Sequence, residues 1–383
     1  MKNMVEIIRE ELHQVLDNHS VLLTVLIAPL LYAVLLGTIY IQKDIDRIPF
    51  AVVDHDNTTT TLEITRLLSA TPKIGLTGKL HSYEEAVDLL YRQEITGFLW
   101  FPEGFEKRLL RLQGADVKLY LNTTRFLPSN DLNKAVNLLM MTVGSGVRLR
   151  YFEVHGINPK HAMELINPVI PEIRPVYNPT NNYGDFLLPG LLFLILQQTL
   201  LIGMGESVAV DNEKGRLGRY LRREGGVPDY MAGKSAYYLF LYFAYFLIFF
   251  GGIYPLLGVH RGGNMAALLT VGMIFVATIA MLAIFAGSFI RSQVRYMAIL
   301  AFSTYPFFLI SGYSWPVTAM PLPLQWLAQA VPTTHFLHAG TRIVVMGGGW
   351  KEVAPDIWKL LILLGVFTLM TAWRLGRMRK LDA

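Results

Sequence analysis

The 383-residue sequence contains no cysteine and little charge. Without cysteine there is no disulfide, no thiolate nucleophile and no Cys-ligated zinc, and the absence fits oxidising and reducing compartments equally. Asp, Glu, Lys and Arg make up 16% of the chain, against about 25% in a soluble domain. The deficit is concentrated in long apolar runs, which argues against an ordinary soluble enzyme and against a nucleic-acid binder. No GxxxxGK[ST] phosphate loop occurs; Gly75-Leu-Thr-Gly-Lys79 has a suggestive composition but the wrong spacing, so an ATP-hydrolysing site is not expected. The apolar runs hold no mid-membrane Asp, Glu, Arg or His, which disfavours a carrier driven by protons or ions. No nucleophile–base pair or metal cluster marks an intramembrane enzyme.

What is present is a series of runs long enough to cross a bilayer, which takes about 20 apolar residues. They cover Val21–Ile41, Phe186–Gly205, Ser235–Tyr254, Met265–Ile290, the shorter Tyr296–Tyr313, and Ile357–Trp373. Lys359, near the start of the last run, can snorkel to the interface. One soluble core has little reason to hold six such helices. The first run is longer than the roughly 7–15-residue core of a signal peptide, and Glu6, Glu10, Glu11 and Asp17 precede it, so it reads as a retained anchor.

Basic residues orient the runs. Segments 1–20, 206–234, 291–295 and 374–383 carry fourteen Lys and Arg, whereas 255–264 and 314–356 carry three. The positive-inside rule then puts both termini in the cytoplasm. The net charge of +5 follows from this bias and implies no nucleic-acid ligand. The fold class expected is an α-helical polytopic membrane protein with six transmembrane helices and an inserted extracytoplasmic α/β domain. Its parts are an amphipathic helix at 1–20, the first span at 21–41, the inserted domain and an extended return at 42–185, spans two to six within 186–373, and a cytoplasmic tail at 374–383.

The insert is nearly charge-balanced, with 16 basic and 17 acidic residues. Strand-like stretches at Ile48–Asp54, Ile74–Leu80, Ile95–Phe101 and Val117–Leu121 alternate with helical ones at Leu62–Ser69, after Ser82, at Glu103–Leu112 and at Ser129–Tyr151, an α/β pattern. Ser82-Tyr-Glu-Glu85 fits a capping box. Asp54 and Asp56 read as a strand end and a turn, since a metal site needs more ligands than they and His55 supply. Five prolines between 156 and 185 suggest an extended return with room for one strand near Ile170–Val176.

On the cytoplasmic side, Val5, Ile8, Leu12, Val15 and Leu16 recur at helical spacing, suited to the membrane interface or to a partner. The loop 206–234 mixes high charge with Val208, Val210, Leu217 and Leu221, a surface suited to docking. On the outer side, 314–345 is rich in proline and too short to span. It suggests interfacial or re-entrant helices, with Trp315 and Trp326 at headgroup level and Pro316 and Pro332 punctuating the segment. His335 and His338 sit three apart, with polar contact at the interface their default role. Gln197 and Gln198 are the polar pair of the second run and the candidates for lining a membrane path.

The layout resembles the permease subunit of ABC-2 type exporters, in the branch with a large extracytoplasmic domain after the first span. Three stretches carry the likeness: Ile48-Pro-Phe-Ala-Val-Val-Asp-His-Asp56 with Gln93 to Phe105; Glu206 through Glu213-Lys-Gly-Arg-Leu217 to Pro228; and Ser311-Gly-Tyr-Ser-Trp-Pro316 with Met320-Pro321 and Val331-Pro-Thr-Thr334. The resemblance implies a multi-pass protein of the bacterial inner membrane, exporting amphipathic or hydrophobic cargo. It implies a second identical or related permease chain and two ABC ATP-binding subunits. No cofactor is bound by this chain, ATP and Mg being used by the partner subunit. In Gram-negative relatives a periplasmic adaptor and an outer-membrane channel are often associated. The coupling surface of the family maps onto the N-terminal helix and Glu206, Glu213, Lys214, Gly215, Arg216, Leu217 and Pro228. The loop departs from the common pattern after Lys214, reading Gly-Arg-Leu-Gly-Arg. The rival reading is a membrane-anchored extracytoplasmic ligand-binding or assembly protein without transport activity.

Overall fold

The computed structural model describes residues 2–41, 44–169, 174–178, 183–258 and 262–381. The chain divides into two compact units, residues 1–43 with 175–383, and residues 44–174.

The larger unit opens with α1, Lys2–Asp17, and α2, His19–Ile39. Asn18 separates them. Its side-chain oxygen accepts hydrogen bonds from the Ser20 and Val21 amides at 3.1 and 3.4 Å, capping α2 where its first N–H groups lack intrahelical partners. A π-turn at Leu23–Ile27 precedes Pro29, which has no N–H to give the preceding turn.

The smaller unit alternates strands and helices: β1 Ile48–Asp54, α3 Thr59–Ala70, β2 Ile74–Leu80, α4 Tyr83–Tyr91, β3 Gly97–Phe101, α5 Phe105–Leu110, β4 Lys118–Leu121, α6 Phe126–Val154 and α7 Pro159–Ile166. The strand order is β2-β1-β3-β4. β1 pairs in parallel with β2 and β3, and β4 runs antiparallel to β3. β1 is central because both its faces are apolar. Phe50 and Val52 pack with Ile64, Leu68, Leu132 and Val136, while Ala51 and Val53 pack with Ala86 and Phe98 on the other side. Ser82 caps α4 by accepting from the Glu85 amide at 3.1 Å. The Glu85 carboxylate reaches back to the His81 amide at 2.9 Å, one residue beyond the capping-box position. Of the extended return, residues 170–173 lie outside the described residues and 174–176 form no strand.

The larger unit resumes with α8 Tyr183–Glu213, α9 Arg216–Arg222, α10 Gly226–Leu256, α11 Met265–Gly287, α12 Gln293–Ile310, α13 Leu322–Ala330, α14 Pro332–Val344 and α15 Trp350–Leu381. Among the described residues, five helices are long and apolar enough to cross a membrane: α2, α8, α10, α11 and α15. The run at Tyr296–Tyr313 becomes α12, which has 18 residues, carries Arg295 in its first turn and Pro306 inside, and is not among the five. α8 and α10 extend beyond their apolar runs at the ends nearest α9, so residues 206–234 are largely helical. α11 packs along α8 and α15. Gly205 permits the close approach of α8 and α12, since a Cβ there would fall 1.8 Å from the Tyr296 hydroxyl. α14 is held inside the unit by Phe336, whose ring stacks on Phe275 at 4.0 Å between centroids and meets Phe193 edge-on at 4.7 Å.

Candidate functional site

The end of the larger unit that carries α1 and α9 holds a buried set of charges. Lys234, in the third turn of α10, is 1% exposed. Its ammonium donates to Asp211 Oδ2 of α8 at 2.6 Å and to Glu11 Oε2 of α1. Glu11 Oε1 also accepts from the Ser207 hydroxyl and the Tyr238 hydroxyl, each at 2.7 Å. Asp211 Oδ2 accepts from the Tyr230 hydroxyl at 3.0 Å, and its Oδ1 pairs with Arg216 of α9 at 3.0 Å. Arg216 continues to Gln14 Oε1, and the Gln14 amide donates to Ser207 O and Oγ at 2.9 and 2.8 Å. Two carboxylates thus face two cations, and neutral donors satisfy the remaining oxygens. Such a set survives burial because no charge is left unpaired. It ties four helices, α1, α8, α9 and α10, into one joint.

Two further contacts extend it along α1: Arg223 pairs with Glu6 at 3.0 Å, and the Tyr220 hydroxyl donates to Glu10. Ile7 and Val15 are buried beside them. The face of α1 that packs inward is therefore mixed and partly ionic. Val5, Leu12 and Leu16 lie on the other side, 59%, 42% and 49% exposed. The apolar stripe is mostly displayed, as in a helix lying along a membrane surface.

The residues singled out between 206 and 228 spread over this end of the unit. Glu206 is fully buried on α8, its Oε1 accepting from Gln293 Nε2 at 2.5 Å. Glu213 ends α8 and accepts from the Gln293 amide at 3.2 Å, so both carboxylates meet the start of α12. Lys214 is exposed. Gly215 has φ +66°, a left-handed conformation that lets the chain leave α8 and enter α9 without strain. Leu217 is buried as the anchor of α9, and Pro228 is exposed on the first turn of α10. Glu11, Asp211, Tyr230 and Lys234 were missed. The available signal was Lys234 itself, a charge followed by an uninterrupted apolar helix.

The other candidates lie elsewhere in the unit. Gln197 is 2% exposed and its Oε1 accepts from Thr333 Oγ1, so it pins α8 to α14; its amide also reaches Gln198 Oε1 at 3.5 Å. Trp315 and Trp326 are 60% and 72% exposed, Pro316 is exposed, and Pro332 is buried as the first residue of α14. His335 is buried with Nε2 2.9 Å from Gln329 O, while Arg342 pairs with Asp356 at 2.7 Å. Among the described residues no group of His, Cys, Asp and Glu is arranged to hold a metal ion. In the smaller unit, Asp54 and Asp56 serve local structure. Asp56 accepts from the Gly104, Phe105 and Glu106 amides at 2.7, 3.1 and 2.9 Å, binding the turn after β1 to the start of α5.

These contacts hold helices together. The sequence pattern of the ABC-2 family transporter proteins matches residues 19–373. The chain belongs to the ABC-2 transporter family. A probable multidrug ABC transporter permease of Escherichia coli K12, YbhR, is 24% identical over 359 residues, 93% of this chain and 94% of the relative. The E. coli K12 inner membrane transport permease YhhJ is 31% identical over 84 residues, 22% of each chain. As an ABC-2 family member with five apolar helices of spanning length, the chain is a multi-pass membrane permease subunit of a transporter.

Proposed function

We propose that this permease is driven by two separate ATP-binding subunits docking on α1 and the α8–α10 segment, residues 206–234, and that it exports amphipathic or hydrophobic cargo through a path formed with a second identical or related permease chain. The observation that carries the reading is the Lys234 joint. A partner pushing on α9 or α1 meets a single ion-paired body continuous with α8 and α10, so the push reaches two membrane helices directly. Uncoupled loops would dissipate it. ATP and Mg belong to the partner's chemistry, and this chain supplies route and transmission.

In this arrangement both termini and residues 206–234 face the cytoplasm of a bacterial inner membrane, and residues 44–174 lie on the opposite side, where a periplasmic adaptor leading to an outer-membrane channel would attach. α12 is the sixth span, and α13–α14 form an interfacial or re-entrant pair on the outer side. The positive-inside bias supports this orientation.

The test exploits the absence of cysteine. Single Cys substitutions at Arg219 and at Tyr91, both exposed, are probed in intact cells with a membrane-impermeant maleimide. Labelling at residue 91 alone is expected. Labelling at residue 219 would put the joint on the wrong side for any ATP-driven partner.

A further inference from the structure

A cavity of about 610 Å³ lies between α1, the start of α2 and the α8–α9 turn. Its polar lining carries both signs of charge: Glu10 and Asp17 on α1, Lys214 and Arg216 beside the turn, with His13 and His19 also in the wall. Glu10 and Arg216 are engaged with Tyr220 and with Asp211 and Gln14. Asp17 and Lys214 have no ion-pair partner among the described residues. One free carboxylate and one free ammonium thus border the same cavity.

We infer that this cavity holds the headgroup of a zwitterionic phospholipid bearing a primary ammonium, its phosphate toward Lys214 and Arg216 and its ammonium toward Asp17 and Glu10. Three features select that occupant. The exposed stripe of Val5, Leu12 and Leu16 places α1 along the membrane surface, which brings the cavity to headgroup depth. Immediately after His19 and Ser20, α2 displays Leu23, Ile27, Leu30 and Leu31, an apolar surface along which acyl chains can lie. The mixed lining leaves one carboxylate unpaired with a purely anionic headgroup and one ammonium unpaired with a cationic ligand, while a zwitterion satisfies both. A primary ammonium offers N–H donors to carboxylates. A quaternary one offers charge without hydrogen bonds. The inference rests on the membrane placement of α1 and needs no ATP-driven partner.

The experiment is native mass spectrometry of the full chain, exchanged in detergent against an equimolar mixture of phosphatidylethanolamine, phosphatidylcholine and phosphatidylglycerol with identical acyl chains. One phosphatidylethanolamine should stay bound at about tenfold higher occupancy than phosphatidylcholine, the difference made by one charge-assisted hydrogen bond. D17N should reduce retained phosphatidylethanolamine toward the phosphatidylcholine level, and K214Q, which loosens the phosphate that both lipids share, should lower retention of both, with thermal unfolding of the variants checking that the fold persists. Preferential retention of phosphatidylglycerol would make the site anionic-lipid selective and overturn the assignment. Equal retention of the three lipids, no retained lipid, a preference unchanged in D17N, or retention unchanged in K214Q would overturn it as well. Because the readout is binding to the isolated permease, a failure here leaves the ATP-coupling reading standing, and failure of coupling leaves this one standing.

Discussion

Replacing Lys234 with methionine keeps most of the side chain's length and removes its charge. The Lys234 ammonium holds Glu11 and Asp211 together, and all three residues are 2% exposed or less. Without it, two buried carboxylates face each other with only Arg216 to balance them. Removing one partner of a buried ion pair costs about 3–5 kcal/mol. K234M should therefore lower the unfolding free energy in micelles by that amount. The double variant K234M/E11Q removes the stranded carboxylate as well, leaving Asp211 paired with Arg216, and should recover more than half of the loss. R223A supplies the control: its pair with Glu6 is partly exposed, so the change should stay below about 1 kcal/mol. Denaturant unfolding followed by intrinsic fluorescence measures all three. A K234M loss no larger than that of R223A would refute the idea that this joint binds the four helices, and so would a double variant worse than K234M.

Other outcomes follow from other contacts. E213A/K214A should reduce stimulation of a co-purified ATP-binding partner while leaving membrane insertion intact, because these residues end α8 at the surface beside α9; wild-type coupled ATP turnover in proteoliposomes would reject this. F336A empties a fully buried ring site between Phe275 and Phe193 and should cost about 3–5 kcal/mol, read as loss of hydrogen-exchange protection in α14. Burial pushes the Asp54 carboxyl up, but hydrogen bonds from Lys79, the Asn57 amide and Thr61 outweigh it and hold the group below its ordinary 3.8. Its stabilisation is thus complete above that pH and drains away as the pH falls through the depressed value. D54N should speed exchange of β1 amides at pH 7 and flatten their acid sensitivity; an unchanged acid limb would contradict this.

Local patterns made the smaller unit readable. β1 and β2 begin and end where the sequence placed them, because apolar alternation and the flanking turn residues act within a few positions. β3 starts at Gly97, two residues later than expected, since the Ile95–Thr96 segment is used to approach β1: the Thr96 amide donates to Pro49 O at 2.8 Å. The packing of α1 stayed hidden for the opposite reason. Its inward side is decided by Glu11, whose partners Asp211 and Lys234 lie some two hundred residues away and leave no local periodic signal. The same holds for Gln197, a polar residue whose partner on α14 comes 136 positions later. The helical character of residues 206–234 was hidden by charge density, which resembles a loop until α9 is seen folding over its buried Leu217.

The span between Glu11 and its partners also bears on biogenesis. Ser207 and Tyr238 follow Glu11 by 196 and 227 positions. During translation α1 therefore emerges long before anything exists to neutralise its acidic side, and must wait through the synthesis of the whole inserted domain. The exposed Val5, Leu12 and Leu16 would let it adsorb to the bilayer in the meantime. Completion of α10 would then recruit it, so that a nascent chain truncated before residue 234 should leave its first helix lipid-bound but unclamped.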